Sequence, residues 1–357
     1  MKHLELIKDL TLAHGPSGFE HNVKELIKNR LAGKADFSQD NLGSLICKKV
    51  GASGSPKIMI PGHMDEIGFM VNSITKQGFI KFIPLGGWYD QVLLAQKVII
   101  KTKKGDVTGI IGSTPPHLLS EKDKNKLVEK KEMFIDVGAQ SREEAEESMG
   151  ILPGDPIIPD SSFHVLGEKM IMSKAIDNRI GCCLFINVLE ELWGTQHPNT
   201  VYGVGTVQEE VGLRGATTSA NVIMPDICLT VDVTIATDTP GLEKEEPEIK
   251  LGQGPVLTLA DATVIGNRNL RNYVIDTARQ EQIPLQYNTM MGGGTDGGAI
   301  HKTGPGVPTV VLSIPTRYIH SHYGVFQYDD YENALRLLLA LIKGLDADTV
   351  ENIKQGS

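Results

Sequence analysis

The spacing of apolar residues predicts helices near the start of the chain and alternating strands and helices in its second half. Apolar positions 4, 7 and 10 fit one helical face, positions 23, 27 and 31 fit another, and a Gly-Pro-Ser-Gly turn separates them. Strands are predicted at 45–50, 57–61, 200–207, 227–233 and 307–313, and further helices at 177–192, 214–220, 267–281 and 328–345. Strands separated by helices favour βαβ units, so we expect an α/β fold with a mixed, largely parallel sheet flanked by helices.

The middle of the chain has a different pattern. Short β-prone runs at 79–83, 98–102, 107–111 and 133–137 alternate with Gly/Pro turns, and the clear helix signal there is a capping box, Ser141-x-x-Glu144. This contrast predicts an inserted β-rich domain at 68–164, with 1–67 and 165–357 forming one larger domain. A length of 357 residues agrees with two domains, and we expect disorder only in the tail at 354–357.

Composition and charge narrow the class of protein. The chain is 40% hydrophobic and 22% charged, which is typical of a soluble globular protein, and its formal charge of -9 opposes binding to nucleic acid or anionic membranes. Charged residues interrupt the first nine positions, so we expect no secretion signal, and the longest apolar run, 337–342, is too short to span a bilayer. Four cysteines without a CxxC pair favour small core residues in a reducing compartment, hence a cytoplasmic protein.

The strand predicted at 57–61 leads directly into His63 and Asp65. Residues two apart on an extended chain share a face, so Asp65 can orient the His63 imidazole within one cleft. A satisfied surface histidine fits this segment equally well. Asp177, at the start of the next long helix, is more often a cap that complements the helix dipole, although a short carboxylate there is also placed to bridge two cations.

Three further places bring acidic or imidazole groups to the ends of predicted strands. Glu209 and Glu210 follow the strand at 200–207, and neighbouring side chains diverge on an extended chain, so one can bind metal while the other faces a substrate water. Solvated acids in a turn are the alternative. Asp232 ends the strand at 227–233, and His320 or His322 follows the strand at 307–313. In α/β sheets ligands gather at these carboxyl ends.

This inventory of carboxylates and imidazoles predicts a metal centre. Oxygen and nitrogen ligands without thiolate suit zinc, cobalt or manganese. The set is large enough for two ions that share one bridging carboxylate, an arrangement that lowers the pKa of a bridging water and polarises a carbonyl during hydrolysis.

Together the segments closely resemble the metallo-aminopeptidase family that includes glutamyl aminopeptidases and the tetrahedral (TET) aminopeptidases, some of whose members were once labelled endoglucanases. The resemblance covers nearly the whole chain and rests on an ordered set of motifs: GPSGFE, GHMDEIGFMV, the Gly86-Gly87-Trp88 turn, AIDNRIGC, QEEVGLRGA, VDVTIATDTPG, GGGTDGG and IPTRYIHSH. It implies a zinc-peptidase-like catalytic domain that releases free N-terminal amino acids from short peptides and refuses peptides blocked at the amine.

The resemblance also implies roles for individual residues. Asp177 would bridge two divalent ions, zinc or cobalt, and the remaining ligands would divide between the ions in pairs, His63 with Asp232 and Glu210 with His320, which favours His320 over His322. Glu209 would act as the general base that deprotonates the bridging water and later protonates the leaving amine, and Asp65 would orient His63. The family motif usually has two consecutive aspartates, and Asn178 stands in place of the second.

The resemblance further implies self-association. The inserted β-rich domain would mediate dimerisation, and dimers would assemble into a hollow tetrahedral dodecamer.

Two other classes of function can be weighed against this one. The loop 291–297 formally contains GxGxxG, but Asp296 within it would repel a pyrophosphate and 310–326 contains no acid to hold a ribose, so a dehydrogenase is disfavoured and a backbone-lined pocket wall is the better interpretation. A non-catalytic metal-binding or scaffolding relative would be expected to lose its general base, whereas this chain keeps Glu209.

Overall fold

The structure, a computed structural model, describes residues 1–122, 125–242 and 244–355. Its helices are α1 (Leu4–Leu12), α2 (His21–Leu31), α3 (Ile176–Glu191), α4 (Arg214–Ile223), α5 (Arg268–Gln280), α6 (Gly297–Ile300), α7 (Tyr328–Gly344) and α8 (Ala347–Gln355). Its strands are β1 (Asp36–Gln39), β2 (Leu45–Val50), β3 (Lys57–His63), β4 (Gly68–Ile74), β5 (Ile80–Leu85), β6 (Lys97–Thr102), β7 (Gly105–Gly112), β8 (Phe134–Asp136), β9 (Pro156–Pro159), β10 (His164–Leu166), β11 (Met170–Ser173), β12 (Thr200–Thr206), β13 (Ile227–Ile235), β14 (Val256–Asp261), β15 (Gln286–Met290), β16 (Thr309–Arg317) and β17 (Gly324–Gln327).

One large mixed sheet organises most of the chain. Its strand order is β1-β2-β12-β3-β13-β16-β17-β11-β10, and β14 and β15 extend it from β16. The central strands β12, β3, β13 and β16 are parallel, whereas the strands towards both edges are antiparallel. The carboxyl ends of the four central strands therefore lie along one edge, where the predicted α/β fold places its ligands.

Helices cover both faces of this sheet. The larger apolar core joins α1, α2, α3, α5 and α7 to one face, and a smaller core packs α4 and α6 on the other. The central strands are buried on both sides, which explains why β3 and β13 are almost continuously apolar instead of alternating. The expected largely parallel sheet flanked by helices is confirmed.

Helix α3 approaches strand β3 unusually closely. A Cβ atom on Gly62 would lie 2.6 Å from the carbonyl carbon of Gly181, and a Cβ on Gly181 would lie 2.4 Å from Oδ1 of Asn178. No side chain larger than hydrogen fits at either position, because real Cβ atoms do not come within such distances of other heavy atoms. Gly62 therefore allows the start of α3 to lie directly beside the end of β3, and Gly181 leaves room for the Asn178 side chain and the Val231 carbonyl of β13.

Strands β4 to β9 form a closed six-stranded barrel with the order β4-β5-β8-β7-β6-β9. It has an apolar core of its own, which includes Phe69, Ile100 and Ile157. The capping-box signal is only partly confirmed: the Glu144 amide bonds to the Ser141 hydroxyl at 3.2 Å, but the element is a single π-helical turn, Glu144–Ser148.

Most elements predicted from periodicity occur within two residues of their expected bounds, and β2 matches fully. Short strands were missed, chiefly β1, β4, β9, β10, β11, β14, β15 and β17, as were helices α6 and α8. The tail prediction was wrong for Lys354 and Gln355, which lie in α8, while residues 356 and 357 lie outside the described residues. All four cysteines are buried and unpaired, as expected, and none of the helices in the described ranges has the length and apolarity needed to cross a membrane.

Candidate active site

The candidate residues meet at the carboxyl edge of the central strands. His63 is the last residue of β3, Asp232 lies near the end of β13, and Glu209 and Glu210 follow β12 in a turn. His320 comes from the loop after β16, and Asp177 from the start of α3. The parallel order β12-β3-β13-β16 therefore brings residues from distant parts of the sequence to one place.

The Asp177 carboxylate lies between two histidines. Its Oδ1 is 3.1 Å from Nε2 of His63, and its Oδ2 is 3.5 Å from Nε2 of His320. Nε2 of His320 also lies 3.4 Å from Oε2 of Glu210, and Nε2 of His63 lies 3.8 Å from Oε2 of Glu209. Each oxygen of one carboxylate thus faces a different imidazole, as a bridge between two ions requires.

Two overlapping groups have the spacing of metal ligands. Ligand atoms lie within 4.8 Å of one another in the group His63, Glu209 and Asp232 and in the group His63, Asp177 and Glu210. Both groups contain only nitrogen and oxygen donors, which suit a divalent ion such as zinc or cobalt. Geometry alone admits Glu209 as a ligand as well as a base.

Asn178 explains how Asp177 becomes available. Asp177 and Asn178 have non-helical backbone angles, so the regular part of α3 begins after them. Oδ1 of Asn178 accepts a bond from the amide of Gly181 at 3.0 Å, and Nδ2 donates to the carbonyl of Val231 at 2.9 Å. Asn178 therefore caps the helix, a role the sequence alone suggested for Asp177, and its amide also ties α3 to the strand that carries Asp232.

Backbone acceptors orient both imidazoles. Nδ1 of His63 lies 3.0 Å from the carbonyl oxygen of Asp65. A carbonyl only accepts, so Nδ1 carries a proton and Nε2 is the ring nitrogen that faces Asp177. His320 makes a corresponding hydrogen bond to the backbone of Gly87, and its Nε2 likewise faces the carboxylates.

The Asp65 carboxylate contacts three other groups besides the His63 imidazole. It accepts from the hydroxyl of Ser17 at 2.6 Å and from the amides of Glu209 and Glu210 at 3.0 and 3.1 Å. Its Oδ1 lies 3.4 Å from Nδ1 of His63. Asp65 thus fixes the turn that presents both glutamates. The sequence analysis predicted neither these two backbone contacts nor the contact with Ser17. The only signal for Ser17 was its place in the GPSG turn.

The carboxyl groups are crowded and buried. Burial raises the pKa of Glu209 well above its ordinary value, and the neighbouring Asp296 and Asp232 carboxylates add to the shift. Burial and the Asp177 charge raise the pKa of Glu210 to about 8, and the same two causes hold the pKa of Asp232 well above its usual range. These carboxyl groups are therefore anionic together only when positive charge lies among them.

Mutual hydrogen bonds and charges also shift the pKa values of His320 and Asp177. Burial acts to lower the pKa of His320, but hydrogen bonding to Asp177 and the Glu210 charge outweigh it and raise the pKa to about 9. Burial acts to raise the pKa of Asp177, but hydrogen bonds from His320 and His63 hold that pKa below its usual range. Oε1 of Glu210 is buried and has no hydrogen-bond partner in the described part of the chain. The donor set, the crowded anions and this orphaned oxygen all fit divalent cations.

The barrel contributes one side of the site through the turn Gly86-Gly87-Trp88, which follows β5. A Cβ on Gly86 would lie 3.2 Å from Oε2 of Glu210, and a Cβ on Gly87 would lie 3.0 Å from Nδ1 of His320. Trp88 donates to the carbonyl of Gly68 at 3.0 Å, so the turn is anchored to the barrel. The backbone of this turn therefore lies directly against two candidate ligands.

His322, the other histidine considered from the sequence, does not reach the centre. Its ring packs against Trp88 with centroids 5.2 Å apart, and it is buried. Burial lowers the pKa of His322 to about 4, so its ring is neutral. Its environment is that of a core residue.

A second buried charge cluster lies behind the site and was missed by sequence reasoning. Nζ of Lys174 is 2.7 Å from both oxygens of Glu66, and the Arg179 guanidinium donates to the carbonyls of Met64 and Gly15 and lies 3.4 Å from Glu66. An unpaired buried charge costs about 3–5 kcal/mol. The cluster therefore ties the loop after α1 and the end of β3 to α3. Its signal in the sequence is the two basic residues that flank Asp177 in an otherwise apolar stretch.

A cavity of about 970 Å³ opens beside these residues. The glycine-rich loop lines one wall with Gly292, Gly293, Gly294 and Thr295, which confirms the predicted backbone-lined pocket wall. Asp296 is buried, and its Oδ2 accepts the Thr206 hydroxyl at 2.5 Å. The loop leads into α6, which has only four residues, so the dinucleotide interpretation gains no support.

Comparison with known proteins identifies similar sequences over nearly the whole chain. The family model described as M42 glutamyl aminopeptidase matches residues 43–337. The aminopeptidase homologue FrvX of Escherichia coli (strain K12) is 42% identical over 99% of this chain and 98% of its own. The glutamyl aminopeptidase of Lactococcus lactis is 36% identical over 99% of both chains, and the lysyl aminopeptidase of Pyrococcus furiosus is 37% identical over 96% of this chain and 97% of its own.

Solved structures agree with the fold. A TET aminopeptidase from a marine sediment archaeon, Thaumarchaeota archaeon SCGC AB-539-E09, superimposes with a TM-score of 0.96, is 49% identical and covers 99% of both chains. The TET1 peptidase of Pyrococcus horikoshii, which can assemble into a tetrahedron or a large octahedral shell, gives a TM-score of 0.87 at 33% identity, over 96% of this chain and 99% of its own.

Proposed function

This chain belongs to the M42 glutamyl aminopeptidase family and is an aminopeptidase, and on that premise we propose that it removes the N-terminal residue of short peptides with two divalent metal ions, zinc or cobalt. The observation that carries the proposal is the position of the Asp177 carboxylate, whose two oxygens lie 3.1 and 3.5 Å from the Nε2 atoms of His63 and His320. A carboxylate shared in this way suits the bridge of a dinuclear centre.

The ligands divide into two sets around Asp177. His63 and Asp232 would hold one ion with it, and Glu210 and His320 would hold the other. The two Asp177 oxygens, which face His63 and His320 separately, and the 3.4 Å between Nε2 of His320 and Oε2 of Glu210 support this division. When bound, such a pair of ions lowers the pKa of water and polarises the scissile carbonyl.

Glu209 is proposed as the general base and acid. Its carboxylate lies beside His63, and its backbone is held by Asp65, so the side chain has a fixed approach to the cleft. It accepts a proton from the attacking water and returns it to the amine of the departing peptide. A carboxylate whose pKa is raised by burial is suited to carry that proton between the two steps. Peptides with a blocked amine are refused, because the site must recognise a free ammonium group.

Metal titration tests the dinuclear centre. Protein stripped with a chelator and titrated with zinc or cobalt is expected to bind two ions per chain, because the ligands form two sets that share one carboxylate. Isothermal titration and elemental analysis of the dialysed protein measure the stoichiometry. Glu210→Gln is expected to lower it to one, and saturation of the wild type at a single ion would contradict the proposal.

Residues 68–164 are proposed to mediate dimerisation as an inserted domain, with dimers forming a tetrahedral dodecamer. The support is the separate barrel core and the high similarity to TET aminopeptidases, one of which assembles into a tetrahedron or an octahedral shell. Sedimentation of the purified protein is expected to show a species of about 470 kDa, twelve times the chain mass of 38.8 kDa. A monomer alone would remove this part of the proposal.

We also place the enzyme in the cytoplasm. Its four cysteines are buried free thiols, which fits a reducing compartment. Cell fractionation that recovers the enzyme outside the cytoplasm would contradict this placement.

A further inference from the structure

We propose that this aminopeptidase prefers peptides whose first residue has a bulky, neutral, apolar side chain, and that it discriminates against both acidic and basic first residues. The inference rests on the proposed function, since it takes the cavity beside the centre as the place where the first side chain is held. Relatives named as glutamyl and lysyl aminopeptidases show that a charged preference is the alternative to be decided.

The ionisable groups that line the cavity all belong to the proposed metal centre. Among the described residues that line it, those with ionisable side chains are the five candidate ligands and the candidate base. In the proposed function the ligand carboxylates are committed to the ions and Glu209 to the proton. A lysine side chain at the first position therefore meets no available carboxylate, and a glutamate side chain meets no cation outside the centre.

Charged groups in the segments next to the cavity pair with other protein groups or lie outside its lining. Arg317 and Asp238 lie near the end of β16 but pair with each other, with N–O distances of 2.8 and 2.7 Å. Lys302 is exposed and lines a neighbouring groove together with Thr217 and Asn221. Asp261 is buried and accepts from the backbone amides of Thr263 and Val264. None of these groups lines the cavity itself.

The rest of the lining favours apolar contact. Apolar side chains from four separate parts of the chain face the cavity: Leu213, Val233, Ile235, Met290, Met291 and Ile319. The other lining residues are threonines and glycines, which carry no charge. Burial of an apolar side chain against such a wall is favourable, whereas burial of a charged one without a partner is costly. Two adjacent methionines, Met290 at the end of β15 and Met291 just after it, can also adapt to side chains of different shape.

The size of the cavity favours bulky side chains. A volume of about 970 Å³ is at the upper end of typical small-molecule sites. Glycine or alanine at the first position would leave most of the apolar wall uncovered, so each methylene added to the substrate gains contact. We therefore expect catalytic efficiency to rise from glycine to leucine, methionine and phenylalanine.

The test is a panel of aminoacyl 4-nitroanilides assayed on protein loaded with cobalt. The kcat/KM values for leucine, methionine and phenylalanine are expected to exceed those for glutamate and lysine by at least about 100-fold, the discrimination that an apolar pocket commonly reaches. A higher value for glutamate, lysine or glycine than for leucine, or equal values across the panel, would overturn the inference. Absence of cleavage of every member would instead count against the proposed function.

A pair of isoleucines provides matched variants. Ile235 is 50% exposed on the cavity wall, and Ile265 is 81% exposed and lines a different cavity with Asp226 and Pro308, at the amino ends of β13 and β16. Ile235→Lys is expected to raise the ratio of glutamyl to leucyl cleavage by about tenfold or more, because it adds a cation to the wall. Ile265→Lys makes the same change in charge at the opposite edge of the sheet and should leave the ratio unchanged. Equal effects of the two variants would show that Ile235 does not face the substrate side chain, and would overturn the inference.

Discussion

Replacing Glu209 with Gln is expected to lower kcat by about 10⁴-fold, the upper end of general acid and base catalysis, because one carboxyl group serves both proton transfers. The amide of Gln has nearly the same shape but neither accepts nor returns the proton. The backbone bond from residue 209 to Asp65 does not involve the side chain, so the turn keeps its position. Steady-state kinetics on leucyl 4-nitroanilide measure the loss.

The metal content of this variant separates a base from a ligand. If Glu209 is the base, Glu209→Gln binds as many ions as the wild type. Loss of an ion together with activity would make Glu209 a ligand, as the group His63, Glu209 and Asp232 allows geometrically. Glu25→Gln provides the control, because Glu25 is an exposed partner of Lys28 on α2, far in sequence from the centre, and no change in kcat is expected. Turnover that survives Glu209→Gln would contradict the assignment.

Asp177→Ala is expected to abolish binding of both ions and reduce kcat/KM by at least about 10³-fold, since each ion loses a ligand and the two lose their shared one. Elemental analysis and titration with zinc measure the ions. The activity is expected to equal that of wild-type protein stripped with a chelator, which cobalt or zinc restores only for the wild type. Circular dichroism checks that the variant folds.

Two further variants test whether the loss of both ions is specific to Asp177. Asp276→Ala removes an exposed carboxylate of α5 that pairs with Arg279, and it should leave metal content and activity unchanged. His320→Ala should lose one ion and keep the other, because His320 belongs to one set only. A variant at Asp177 that retains two ions would show that the carboxylate does not bridge them.

The large elements could be predicted from the sequence because each has a strong apolar pattern of its own, a helical period in α7 and a nearly continuous apolar run in β3 and β13. Helix α7 and strands β2, β3 and β13 bury most of one face or both, so their apolar pattern is unambiguous. The missed strands have no such pattern. Strand β1, for example, is exposed at all four residues and exists because it pairs with β2. Pairing partners of this kind are set by the fold and not by local propensity.

The residues of the candidate centre could be predicted from the sequence, but the contacts that hold them in place could not. Each candidate follows a predicted strand or begins a helix, which is a local signal. The contacts that hold them join residues far apart in the chain, such as Ser17 with Asp65 and Lys174 with Glu66. The capping role of Asn178 was also hidden, because a carboxylate at a helix start is normally the cap itself.

The turn at Gly86-Gly87-Trp88 has a consequence for how this protein can be divided. A chain from which residues 68–159 were cut out would still contain every candidate ligand. It would lack the backbone against which the His320 imidazole rests and the wall that confines the Glu210 carboxylate. The rest of the chain therefore does not complete this side of the site by itself, and a shortened version must supply a substitute for the three residues of the turn.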